Sequence, residues 1–251
     1  MDLRLKNKRV LITGGSKGIG KDIARNLNSL DCKVAICSRN KENLDKVDFL
    51  KKEFKFEADV TIPEEAKHLV ESAILQLGGI DVLICNVGNG KSAPPGKEKH
   101  LDWEKSMSEN LYSTTNMVEF TKEHLSSSKG NILCISSICG IESLKGAPIT
   151  YSVAKSALNS YIRAISLPLS ELNIRINGIA PGNILFKDSS WETKIKKNKD
   201  AVEGMINKEV PLKKFGELKD ISSLASFLIS DVSSFATGSV WILDGGQVRS
   251  F

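Results

Sequence analysis

A doubly wound α/β fold is what this sequence predicts: one domain over residues 1–251, with a parallel sheet of about seven strands and helices on both faces. Two features predict it. Short β-branched, apolar runs recur along the chain with stretches of helical period between them, and no repeat, low-complexity tract or Pro/Gly linker divides it. The expected strands are 9–13, 33–37, 54–58, 81–85, 131–136, 175–179 and 240–243. They are nearly continuous in apolar residues, as in strands buried on both faces of a parallel sheet. The expected helices are 19–30, 41–53, 64–77, 103–123, 151–171 and 220–230. Two insertions follow strands directly: residues 88–99, rich in Gly, Pro and Lys, and a lid at about 183–210 with Trp191, Lys194, Lys196, Lys197 and Lys199. In open α/β sheets ligands bind beyond the carboxyl ends of the strands, so both insertions are expected to wall a cleft.

Composition narrows the function. With 41% hydrophobic residues among 251, the chain can bury a sizeable core, which excludes global disorder. Five cysteines, an odd number, argue against a disulfide scaffold; three lie in or beside apolar runs, which points to a reducing, cytoplasmic compartment. No apolar run approaches the roughly 18 residues of a membrane span. Residues 1–8 carry Asp2, Arg4, Lys6 and Lys8, unlike a secretory signal. A net charge of +5 suits an anionic ligand but falls short of a nucleic-acid footprint. His68, His100 and His124 are scattered, without a CxxC or HxxxH pair, so no metal is expected.

The first strand runs into Thr13-Gly14-Gly15-Ser16-Lys17-Gly18-Ile19-Gly20 and then a helix. Glycines there allow a tight turn and close approach of a phosphate, and the helix N-terminus offers free N–H groups. This TGxxxGxG spacing resembles the short-chain dehydrogenase/reductase family, and the resemblance extends over essentially the whole chain. It implies a Rossmann fold and a nicotinamide dinucleotide on Gly14, Ser16, Lys17, Gly18, Ile19 and Gly20. NAD-preferring members end the second strand with an acidic residue; here Ser38 stands there, followed by Arg39. A guanidinium can pair with a 2′-phosphate that a carboxylate would repel. Lys17 is the second basic residue that NADP-using relatives often carry. Hydrogen bonds to charged groups contribute about 1.5–3 kcal/mol each, so the resemblance implies NADP(H). Asp59 and Val60 resemble the pair that holds adenine, and Asn86-Val87-Gly88 stands where the family usually has Asn-Ala-Gly. Pro181, Gly182 and Ile184 resemble the segment that meets the nicotinamide carboxamide. The family's threonine two residues further is Phe186 here, leaving that contact to the backbone or to a serine such as Ser189.

Tyr151 and Lys155 form a YxxxK pair, and residues four apart share one helix face. A phenol with pKa about 10 is a sluggish acid/base at neutral pH; lowering it by three units takes about 4 kcal/mol, for a buried cation and an adjacent oxidised nicotinamide to supply jointly. Upstream, Ser136-Ser137-Ile138-Cys139-Gly140 resembles the family's SSxxG run, whose second serine binds the substrate carbonyl. That maps to Ser137, with Ser136 the rival if the strand register slips. Asn110 matches the family's helix asparagine, which supports a water-linked proton relay to the lysine. The implied catalytic set is therefore Asn110, Ser137, Tyr151 and Lys155, with no metal.

The resemblance is nearest to 3-oxoacyl-(acyl-carrier-protein) reductases: Lys129 stands near their basic docking residue, although Ser170-Glu171-Leu172-Asn173 departs from the other. The implied activity is NADPH-dependent interconversion of a ketone and a secondary alcohol on a small molecule, and the basic lid suits an anionic one. A 3-oxoacyl thioester is one such substrate; a sugar or nucleotide sugar for surface polysaccharide is the alternative. A catalytically idle NADP-binding sensor or scaffold is the alternative from another class. Family members usually form homotetramers, or homodimers, through the helices that here hold Asn110 and Tyr151. Pro168 is expected to kink or shorten the second of them.

Overall fold

Seven strands pair in parallel in the computed structural model, which describes residues 2–250. They are β1 (Arg9–Thr13), β2 (Lys33–Ser38), β3 (Lys55–Glu57), β4 (Val82–Cys85), β5 (Asn131–Ile135), β6 (Arg175–Pro181) and β7 (Val240–Leu243). Their order is β3-β2-β1-β4-β5-β6-β7, so the winding reverses between β1 and β4, where Val10 pairs with Val82 and Ile12 with Ile84. Loops leaving these two strands diverge to opposite faces and open a crevice at their carboxyl ends.

Alternate strand residues point to opposite faces, and each face is covered. Leu11, Leu83 and Ile132 pack under α3 (Pro63–Leu77), α5 (Ser113–Ser128) and α6 (Ile149–Glu171). Val10, Ile12, Ile84 and Leu133 pack under α1 (Gly18–Ser29) and α9 (Leu218–Ile229). This two-sided burial is why the strands read as continuous apolar runs.

Three helical expectations need correction. The helix expected over 41–53 is only α2 (Lys41–Asp45), followed by a 3-10 turn at Lys52–Phe54. Lysine side chains end it: Lys21 Nζ donates to the Lys46 carbonyl at 3.2 Å and Lys55 Nζ to the Val47 carbonyl at 2.6 Å. The single helix expected over 103–123 is α4 (His100–Met107), a π turn (Ser108–Tyr112) and then α5. Finally, α6 neither stops at Pro168 nor shortens, but runs on to Glu171. Pro168 and Ala164, whose carbonyl loses its N–H partner, are both exposed, so water can serve that carbonyl. Within the lid the chain forms α7 (Ser190–Lys197) and α8 (Lys199–Glu209). No helix of the described residues is long and apolar enough to cross a membrane.

Candidate active site

The crevice at the winding reversal is a cavity of about 510 Å³ lined from both strand ends. Its floor is the glycine turn. Gly14 and Gly18 have φ of +66° and +51°, which L side chains rarely adopt. A Cβ on Gly15 would lie 2.5 Å from Ile36 Cγ2, and one on Gly20 would press into the Asn86 amide and the Gly14 carbonyl. Helix α1 begins without a side-chain cap and without an acidic residue in its first turn. Its positive end therefore faces the cavity open to an anion. Asn86 braces this floor: its Nδ2 donates to the carbonyls of Thr13 and Gly14 at 3.1 Å, and its N–H to Thr13 Oγ1 at 3.0 Å.

One end of the cavity is polar and charged. Gly14, Ser16, Lys17, Gly18, Ile19, Ser38, Arg39, Asp59, Val60, Asn86 and Gly88 all line the cavity. Arg39 is bridged, with its terminal nitrogens 3.4 Å from Asp59 Oδ2 and 3.4 Å from Glu109 Oε1. Asn40 and Asn43 also line this end; capping signals mark them as turn residues, and nothing in the sequence marks them as ligand contacts.

At the other end α6 delivers Tyr151 and Lys155. Lys155 is 3% exposed, and its Nζ donates to the Ile135 carbonyl at 2.9 Å. Burial pulls this amine down to about 8, while the nearby Cys134 and Cys85 thiols push the other way. Asn110 Oδ1 and Lys155 Nζ face each other across Gly88, each 3.0 Å from where a Cβ on that residue would stand. Asn110 is held at the π turn: it accepts from Asn89 N–H at 2.9 Å and donates to the Ser106 carbonyl at 3.0 Å. Single π turns recur at functional sites.

The two serines take different directions. Ser136 lines the cavity, but its hydroxyl is spent on Asn159, donating to Oδ1 at 2.5 Å. Ser137 accepts from Cys139 N–H at 3.2 Å and faces Tyr151, whose pKa its hydrogen bond lowers. The phenol as a whole moves the other way, however, and burial pushes it up to about 12. In the protein alone, then, the lysine by itself does not depress the phenol. The Lys155 amine lies 5.9 Å from the centre of the Tyr151 ring, and burial weakens its own hold on a proton.

Not every expected residue reaches the cavity. Gly20 acts beneath the turn, while Asn110 and Ser137 support the reacting end without lining the cavity itself. Pro181 closes β6, Gly182 packs on Asp244, and Ile184 is buried with a bridge to Gly216; none of the three lines it. The segment enters through Phe186 instead, whose ring stands 3.0 Å from where a Cβ on Gly18 would be. Ser189 caps α7, its Oγ accepting from Glu192 N–H at 3.1 Å and from Phe186 N–H at 3.4 Å. Lys129 lies at the start of β5, roughly 16 Å along a five-residue strand from the end that carries Ser137.

Known proteins resemble this chain along its whole length. Residues 14–247 match the family described as Enoyl-(Acyl carrier protein) reductase. A tropinone reductase homolog of Arabidopsis thaliana is 34% identical over 250 residues, covering 96% of this chain and 92% of that protein. A 3-oxoacyl-[acyl-carrier-protein] reductase of Thermotoga maritima is 30% identical over 255 residues, covering 98% and 100%. The structure of L-sorbose reductase from Gluconobacter frateurii, complexed with NADPH and L-sorbose, superposes with a TM-score of 0.92 at 26% identity and covers 100% of both chains.

The serine geometry makes a prediction that thermal unfolding checks. Ser136→Ala strands the buried Asn159 oxygen, a loss of about 1–3 kcal/mol. For a chain of this size that is about 2–4 °C of Tm per kcal/mol. Ser137→Ala, which strands no buried side-chain acceptor, is expected to lower Tm by less than half as much; equal losses contradict the assignment of directions.

Proposed function

The chain belongs to the short-chain dehydrogenase/reductase family, whose members act on CH–OH and C=O groups with a nicotinamide cofactor, and from that premise we propose a specific reading. The protein reduces a ketone to a secondary alcohol with NADPH, or runs the reverse oxidation. The observation that carries this is the convergence of Tyr151, Ser137, Lys155 and Asn110 at one end of a cavity whose other end holds Arg39 and Lys17.

The bound nicotinamide supplies hydride to the carbonyl carbon. Ser137 Oγ steadies the carbonyl oxygen, and Tyr151 donates its phenolic proton to that oxygen as negative charge develops. Lys155, whose amine lies 5.9 Å from the centre of the Tyr151 ring, would hold the nicotinamide ribose. The phenol regains its proton through Lys155 and a water held at Asn110. A protonation state near neutrality suits this relay, because an amine titrating at about 8 both gives and takes a proton at physiological pH. Arg39 and Lys17 receive the 2′-phosphate.

The lid favours an anionic substrate. Lys194 lies 4.1 Å over the Trp191 ring, and its charge is felt at the Cys139 thiol beside Ser137. Lys196 and Lys199 are instead paired with Glu192 and Glu203. A small 3-oxoacyl thioester is the first substrate class to test, supported by the relative from Thermotoga maritima. A sugar is the second, supported by the likeness to L-sorbose reductase. Leu101 on α4, Tyr112 in the π turn, and Ile149 and Val153 on α6 leave apolar side chains exposed, which supports a homotetramer built through these helices. We read it as a cytoplasmic enzyme, on its reduced cysteines.

NADPH absorbance followed with a 3-oxoacyl thioester and with a ketose tests the reading. Wild type is expected to consume NADPH with one of them, and Tyr151→Phe to lose about 10²–10⁴-fold in kcat. Undiminished turnover by Tyr151→Phe removes the phenol from the mechanism. Light scattering behind gel filtration is expected to give a tetramer's mass; a monomer's mass contradicts the assembly.

A further inference from the structure

One carboxylate beside the cavity has no part in that chemistry. Glu109 sits in the π turn immediately before Asn110, and its side chain is only 9% exposed. One oxygen lies 3.4 Å from an Arg39 terminal nitrogen; the other accepts from Asn89 Nδ2 at 3.0 Å. Asn89 is in turn locked to Asn110 by two hydrogen bonds, at 2.9 and 3.2 Å. Arg39 is the one cation within ion-pair distance of Glu109 among the described residues. Arg39 meets a second carboxylate at Asp59, so its charge is shared before any ligand arrives.

That sharing sets up a competition. A 2′-phosphate and a buried carboxylate both seek the guanidinium, and a carboxylate left without a cation in a poorly solvated site is costly. A cofactor lacking the 2′-phosphate makes no such demand. We propose that Glu109 is a specificity-determining residue, holding down the preference for NADPH over NADH by competing with the 2′-phosphate for Arg39. This rests on the reading that Arg39 receives that phosphate.

A double-mutant cycle tests it, with Kd for NADPH and NADH measured by nucleotide fluorescence in wild type, Glu109→Gln, Arg39→Ala and the double variant. Circular dichroism checks each fold, and Glu109→Leu stands in if the glutamine variant does not fold. Glu109→Gln is expected to tighten NADPH on the order of 10-fold, the scale of one partly screened charge. It should leave NADH within about twofold, the gain should shrink with added salt, and it should vanish in the Arg39→Ala background. An unchanged NADPH:NADH ratio in Glu109→Gln overturns the proposal. So does an equal gain in both backgrounds, because that is direct repulsion rather than competition. If Arg39→Ala itself leaves NADPH affinity unchanged, the cofactor reading falls and takes this inference with it.

Discussion

A fully buried amine is the constraint on which the reacting end depends. Lys155 has a single carbonyl, that of Ile135, as its hydrogen-bond acceptor, and no carboxylate comes within ion-pair distance among the described residues. Moving its pKa from 10.5 to about 8 corresponds to about 3 kcal/mol against the charged form. Two glycines let the chain close in on this residue, one against its backbone and one against its amine. A Cβ on Gly140 would lie 2.6 Å from the Lys155 carbonyl carbon, and one on Gly88 3.0 Å from its Nζ. These two glycines come from the loops after β5 and β4, so Lys155 sits between both strand ends that flank the site.

The opposite end works by shared charge instead. Arg39 is exposed enough to move, and two carboxylates hold it across the mouth of the cavity. Between the ends, Asn86 fixes the glycine turn to β4, and the Glu109–Asn89–Asn110 chain runs along the wall. A ligand that displaces Arg39 therefore acts on a group one residue from Asn110, so the two ends of the cleft are physically continuous.

Much of this was legible in the sequence for a simple reason. A doubly covered parallel sheet demands apolar strands, so 9–13, 33–37 and 131–136 announce themselves, and the observed strand ends differ from them by no more than a residue. The i, i+4 spacing of Tyr151 and Lys155 survives any small shift of the helix ends. What was hidden depends on contacts far apart in sequence. Lysines from α1 and β3 truncate α2, which no local periodicity reveals. The π turn inserts one residue's worth of slack into a helix whose sequence pattern remains continuous. The Arg39–Glu109 pair spans 70 residues, and the phenol's upward shift comes first from burial, with Cys139 adding to it, and neither is visible in the YxxxK spacing.

The most direct test of the central claim is the titration of the Lys155 amine itself, by NMR of lysine labelled with ¹³C at Cε, with Lys155→Met assigning the signal. A buried amine held only by the Ile135 carbonyl is expected to titrate near 8 in the free protein. Titration near 10.5, among the surface lysines, would contradict the account, because the amine would then be solvated and charged throughout the working pH range.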